Sequence, residues 1–236
     1  MNIQKTATGL SARSFAYTAW NEWTLPATFP TEWNEFARSW DRLVVDNYMK
    51  EGDTYRERRF CKYLVDAASM SFVELDDFVF FQDISVNRYA GNLRREFAPI
   101  EAHTRKGKIL QAIIARCLQS ILLSVDSSGT RWRVYVHQFR INCNRALTGW
   151  PTPEGLHRDG HDFVSMHLIS RVNVVGGASI ICDRDGRSLM NATLKNPLDG
   201  FVINDGSVLH GVTPITSADG SPGHRDMLII DYNREK

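Results

Sequence analysis

Leu156-His157-Arg158-Asp159-Gly160 puts a histidine and a carboxylate two residues apart. On an extended segment that spacing turns both side chains to one face, so both can grip one cation. A bare His-x-Asp is common by chance. Further along, Asn204-Asp205-Gly206-Ser207-Val208-Leu209-His210-Gly211-Val212-Thr213-Pro214 supplies a second histidine, and Arg225 follows in Gly223-His224-Arg225-Asp226. Two histidines and one carboxylate, here His157, Asp159 and His210, can hold a divalent metal on one side and leave the other side open.

The surroundings of these stretches read as strands and turns. Trp132 to Ile141, Val164 to Ile169, Ala178 to Cys182, Phe201 to Asn204, Ser207 to His210 and Met227 to Tyr232 are short apolar or alternating runs. Gly176-Gly177, Asp185-Gly186, Asp199-Gly200, Asp205-Gly206 and Asp219-Gly220 punctuate them. That rhythm predicts a sandwich or jelly roll, which brings strands distant in sequence side by side. His210 can then stand beside His157 and Asp159.

Upstream, Phe15, Tyr17, Trp20 and Trp23 show no clean period, and residues 1 to about 28 are expected to pack outside the core. After Pro30, Thr31 is placed to cap a helix carrying Trp33, Phe36, Ala37, Trp40, Leu43 and Val44, with Gly52 at or past its end. Phe60 to Val65 and Phe72 to Leu75 have strand composition and are expected at the periphery. Ile109, Leu110, Ile113, Ile114, Cys117, Leu118, Ile121 and Leu122 predict a second amphipathic helix, ended by the turn Ser127-Ser128-Gly129. The expected class is α+β, mainly β. One domain spans 1–236, with 1–128 as helical and peripheral-strand support and 129–236 as the jelly-roll core.

At 236 residues and 43% hydrophobic, one core is sufficient. A net charge of +1 gives no reason to expect nucleic-acid or membrane partners. The basic runs Arg56-Glu57-Arg58-Arg59 and Arg94-Arg95 are therefore read as local pairing or small-anion contacts. Cys61, Cys117, Cys143 and Cys182 form no Cys-x-x-Cys pair, which argues against a zinc site or a disulfide framework. With no signal-like start and no membrane-length apolar run, a soluble cytoplasmic protein is expected.

His157-x-Asp159, Gly176-Gly177 before a strand, Asp205 leading to His210-x-Val212-Thr213-Pro214, and Arg225 before a β run together resemble the Fe(II)/2-oxoglutarate-dependent dioxygenases. More narrowly, Val136-His137-Gln138-Phe139-Arg140 with the two histidine stretches is similar to the bacterial free amino-acid hydroxylases, the group that includes L-isoleucine 4-hydroxylase. The resemblance covers residues 130 to 234 closely and 55 to 120 loosely. It implies a double-stranded β-helix in which His157, Asp159 and His210 hold Fe(II) and Arg225 pairs with the distal carboxylate of 2-oxoglutarate. Many relatives place a serine two residues after that arginine; Met227 stands here, so Thr213 is the candidate hydroxyl.

The implied reaction consumes O₂ and 2-oxoglutarate, releases succinate and CO₂, and hydroxylates an unactivated carbon, with ascorbate as the expected aid in vitro. Related halogenases vacate the carboxylate position. Asp159 is present, so hydroxylation is favoured, though desaturation and ring closure use the same triad. A small amino-acid substrate needs polar anchors. Arg140 and Gln138, on one face of their strand, are the candidates for its carboxylate, and Glu154 or Asp162 for its ammonium. The loop Asn144 to Glu154 is a candidate lid. Competing readings are an oxygenase for another small natural-product intermediate or for an amino acid carried by a peptide or carrier protein, a cupin-type metal-binding or isomerase protein, and a purely structural jelly roll. Arg225 discriminates against the cupin, which has no need of it.

Overall fold

The computed structural model describes residues 1–23, 29–85, 89, 91–125 and 131–235. The expected turn at Ser127-Ser128-Gly129 lies outside them. The chain opens with α1 (Ile3–Arg13), β1 (Phe15–Thr18), α2 (Phe29–Arg38) and β2 (Val44–Val45). β3 (Arg56–Asp66), β4 (Ser71–Leu75), β5 (Val79–Phe80), β6 (Arg95–Glu96), α3 (Ala102–Arg105) and α4 (Lys108–Ser124) follow. Strands then take over: β7 (Arg131–Cys143), β8 (Phe163–Val172), β9 (Val174–Gly176), β10 (Ala178–Cys182) and β11 (Ser188–Thr193). β12 (Gly200–Asn204), β13 (Leu209–Val212), β14 (Ile215–Ser217) and β15 (Gly223–Arg234) complete the chain.

The major sheet runs β1-β12-β8-β15-β7-β3-β2, with β4 beside β3. Against it stand two small sheets, β11-β10-β13 and β14-β9. The fold is mainly β, in the jelly-roll arrangement that the sequence rhythm predicts.

Period-two alternation decides what each face of the major sheet does. On one face, Trp132, Val134 and Val136 of β7 and Leu228, Ile230 and Tyr232 of β15 pack on Ile114, Cys117, Leu118 and Ile121 of α4. On the other, His137, Phe139 and Ile141 of β7 and Arg225, Met227, Ile229 and Asp231 of β15 line a cavity closed by the small sheets. Trp40, fully buried, sends its indole N–H to within 3.1 Å of Phe139 O and 3.3 Å of Met227 O. It sits beside the register shift at Asp226/Met227.

Several local expectations change. Helix α2 begins at Phe29, before Thr31, so Thr31 is inside it and Pro30 occupies its first turn. After Arg38 it tightens into a 3₁₀ turn ending at Arg42, and Gly52 closes a separate turn, Lys50–Gly52, at φ +75°. The leading segment is not irregular: α1 packs on α4, and β1 extends the major sheet by pairing with β12. β3 is not peripheral either. It pairs with β7 from Arg56↔Ile141 to Asp66↔Arg131, and its alternate residues Arg56, Arg58 and Phe60 are buried. The strand expected over Phe60 to Val65 starts four residues earlier, through a run of four charges of which Arg56 and Arg58 are buried.

Candidate active site

His157 and His210 are cross-strand partners. Each backbone N–H donates to the other's carbonyl at 2.9 Å, and the ring centroids lie 4.5 Å apart. Asp159 lies 3.5 Å from His157 Nε2 and 3.2 Å from His210 Nε2. The ligand atoms of all three lie within 4.8 Å of one another. The Nδ1–H of His157 donates to Gly155 O at 3.0 Å, since a carbonyl only accepts, and so turns Nε2 toward Asp159. Gly160 turns the chain at φ +82°. The buried carboxylate of Asp205 receives the N–H groups of Asp159 (3.0 Å), Gly160 (2.7 Å) and His161 (3.2 Å), which fixes the ligand loop.

The charges are those of a metal site. Burial opposes a proton on His157, but the hydrogen bond and charge of Asp159, with Glu154, outweigh it and push the ring up to about 9. Burial likewise opposes charge on Asp159, yet His210 and His157 hold it well below the usual carboxylate range. Burial and the neighbouring Asp159 charge raise Asp205. Two neutralisable imidazoles converging on one carboxylate, with His157 oriented by Gly155 and His210 Nδ1 lying 3.8 Å from Asp205, fit a divalent cation in the two-histidine, one-carboxylate mode.

Arg225 lines the same cavity and is 2% exposed. Its Nε and Nη2 have no hydrogen-bond partner among the described residues, and burial, then Arg171, pushes it down to about 10. Gly177, at φ +70°, brings its backbone so near that a Cβ would stand 3.2 Å from Arg225 Cδ. A buried guanidinium with free donors is a seat for a carboxylate. Its donors and the candidate metal ligands thus share one enclosure.

The substrate-side expectations fare unevenly. Glu154 lines the cavity, 3.5 Å from His157 Nε2. Gln138 and Arg140 do not: β7 turns them to the helical face, where Gln138 donates to Ser39 Oγ at 2.7 Å and Arg140 pairs with Asp226 at 2.7 Å and Asp41 at 3.0 Å. The two do share one face of β7, as their spacing predicts, but it is the helical face and not the cavity face. Asp162 is also outside, accepting the N–H of Arg234 at 2.8 Å. Thr213 spends its hydroxyl accepting the N–H of Ala178 at 2.9 Å, and so closes the β10–β13 ladder instead of facing the cavity. Ser179, one residue on, is the β10 hydroxyl in the cavity wall.

The N-terminal half supplies what was missed. Arg56, Arg58, Phe80, Gln82 and Arg95 all line the cavity. Arg58 donates to His137 Nδ1 at 2.6 Å, which makes that nitrogen an acceptor and leaves Nε2–H to donate to Asp231 at 3.0 Å. Burial pushes His137 down to about 4, so the ring stays neutral. The sequence signal was the basic pair of runs, Arg56 to Arg59 and Arg94-Arg95.

A jelly roll with a His-Asp-His triad and an arginine in one enclosure defines a metal-dependent enzyme of the non-haem oxygenase type. The chain belongs to the 2OG-Fe dioxygenase family, which it matches over residues 37–231. It is 24% identical over 212 residues to the 3(1)-hydroxy-L-isoleucine 4-dioxygenase of Pantoea ananatis, covering 88% of this chain and 83% of the relative. It is 23% identical over 194 residues to the L-isoleucine-4-hydroxylase of Bacillus thuringiensis, covering 80% of each. Among solved structures, a bsmA homolog from Methylobium petroleophilum superposes with a TM-score of 0.86 at 26% identity over 99% of this chain and 94% of that one. IDO from Bacillus thuringiensis does so with 0.83 at 18% over 100% and 97%.

Proposed function

We propose that this protein hydroxylates an unactivated carbon of a free L-amino acid or close analogue, using Fe(II), 2-oxoglutarate and O₂ and releasing succinate and CO₂. The observation that carries the reading is Arg225, a buried guanidinium with unpartnered donors in the same cavity as the triad. The amino-acid restriction is supported by the activities named for the Pantoea and Bacillus relatives.

In this reading His157, Asp159 and His210 hold the iron, which supplies the redox chemistry with oxygen when bound. Gly155 and Asp205 keep the ligands oriented. Arg225 receives the distal carboxylate of 2-oxoglutarate, and Ser179, in the wall of the same cavity, supplies the hydroxyl in place of Thr213. Glu154 receives the substrate ammonium. The apolar wall of Phe139, Met166, Met227 and Ile229 excludes water and packs the carbon chain. Asp159 fills the position a halide would need, which favours hydroxylation. No helix of the described residues is long and apolar enough to cross a membrane, and all four cysteines are free and buried, in keeping with a cytoplasmic setting.

The test is incubation with Fe(II), 2-oxoglutarate, ascorbate and air against a panel of free L-amino acids, with mass spectrometry of products and His157→Ala as control. One amino acid gaining an oxygen atom alongside succinate, and not in the control, is the expected result. Succinate with no oxidised amino acid discards the substrate class, and no succinate from iron-loaded protein discards the reaction.

A further inference from the structure

Four arginines line the cavity: Arg56, Arg58, Arg95 and Arg225. One buried carboxylate, Asp46, serves two of them, at 2.8 Å from Arg56 Nη2 and 3.5 Å from Arg58 Nη1. Arg95 and Arg225 have no carboxylate within ion-pair distance among the described residues. Both are buried, Arg95 at 3% exposure, and both keep guanidinium nitrogens without a partner, Nε in Arg95 and Nε with Nη2 in Arg225. A buried, unneutralised guanidinium is costly unless an anion completes it. The cavity therefore asks for two anions, and the distal carboxylate of 2-oxoglutarate accounts for one.

We infer that Arg95 seats the carboxylate of the organic substrate, in a second anion site separate from Arg225. This rests on the amino-acid reading above and gives it an anchor. The two arginines sit among different charges: Arg95 senses Arg56, Asp46, Glu154 and Asp159, whereas Arg225 senses Arg171. The Arg95 guanidinium is held in place by the rings of Phe80, 5.0 Å from its centroid, and Phe97, at 5.9 Å. Its Nη2 donates to Gln82 Oε1 at 2.7 Å, and Gln82 Nε2 donates to the carbonyl of Asp159 at 2.9 Å. The seat is thereby tied to the ligand loop by two hydrogen bonds. Glu154 lines the cavity on this side, beside His157, so a guanidinium and a carboxylate face the space together. That is the complement of a zwitterion. Arg58 is the poorer candidate, because its two terminal nitrogens already contact Asp46 and His137.

The experiment is calorimetric titration of the protein loaded with Fe(II) and 2-oxoglutarate, without oxygen, in wild type, Arg95→Gln and Arg95→Lys, each checked for folding by thermal melting. The titrants are the free L-amino acids and, for those that bind, the matching carboxamides. The wild type is expected to prefer acid over amide by about tenfold or more, and Arg95→Gln to lose about as much affinity for the acid, with the amide and 2-oxoglutarate little changed. Arg95→Lys retains part of the preference. Equal binding of acid and amide by the wild type overturns the seat. So does loss of 2-oxoglutarate in place of the amino acid in Arg95→Gln. If no free amino acid binds the wild type, N-acetyl amino acids and dipeptides are titrated. Binding that depends on Arg95 then keeps the seat and discards only the free-substrate reading, and no binding overturns both.

Discussion

Asp205 touches no substrate, yet three consecutive backbone N–H groups at and after a metal-ligand position end on its carboxylate. Replacing it with asparagine keeps one accepting oxygen and removes the charge. Outer partners of this kind typically hold 10- to 100-fold of metal affinity. Asp205→Asn is accordingly expected to bind Fe(II) roughly 10-fold more weakly with the fold retained, measured by metal titration; unchanged affinity would show that the loop holds itself. Arg225→Gln is expected to do the opposite, weakening 2-oxoglutarate by about 10-fold or more and Fe(II) little, because in the proposed function its donors take the cosubstrate carboxylate. Equal affinity for 2-oxoglutarate in that variant discards the role. Thr213 shows why residue type misleads at this scale. A threonine in the right stretch carries the right hydroxyl, but the neighbouring ladder has already taken it.

Strands β9 and β10 meet at Gly176-Gly177, both at positive φ. A Cβ on Gly177 would stand 2.9 Å from Ile215 Cγ2 and 3.2 Å from Arg225 Cδ, so the turn and the arginine were fitted to each other. Gly177→Ala is expected to cost about 1–2 kcal/mol for the left-handed backbone and to weaken 2-oxoglutarate binding while sparing the metal. A melting curve and two titrations check it, and full cosubstrate affinity would refute the coupling. The strand β7 was legible as a strand from Trp132 to Ile141, and its alternation separated His137 from Gln138 and Arg140. Which set meets the cavity is decided by what packs on each face. Here α4 and Trp40 occupy the even-numbered side. The start and inner position of β3 were hidden for a related reason, since Arg56 and Arg58 are charged and yet inside, held by Asp46 and by the ring of Phe97 3.5 Å from Arg58.

Across the whole molecule, a buried histidine that resists protonation stands where the helical layer meets the major sheet. His167 on β8 is fully buried, 3.4 Å from Cys117 Sγ of α4 and edge-on to Trp23. Burial pushes it down to about 3 from an ordinary 6.5. Above about pH 6.5 the ring is neutral in both folded and unfolded chains. As pH falls from there toward 3, the unfolded chain takes up a proton that the folded chain refuses, so stability is lost. His137, pushed down to about 4, adds in the same direction. The urea midpoint is expected to drop between about pH 7.5 and 5, and to drop less in His167→Gln. An identical drop in the variant would mean that other groups carry it. By itself the sequence made legible the β class, the second amphipathic helix and the His157-x-Asp159 pair, because each rests on local spacing: period two for strands, a repeat near 3.6 for the helix, and two side chains on one extended face; His210 and Arg225 were singled out by residue type and by the family resemblance. Only the tertiary structure decided which face of β7 meets the cavity, that β3 lies inside the sheet, and that Arg56, Arg58 and Arg95 line one cavity with Asp159 and His210, which lie far along the chain. Burial of a charge depends on partners assembled from distant strands, and no local pattern encodes them.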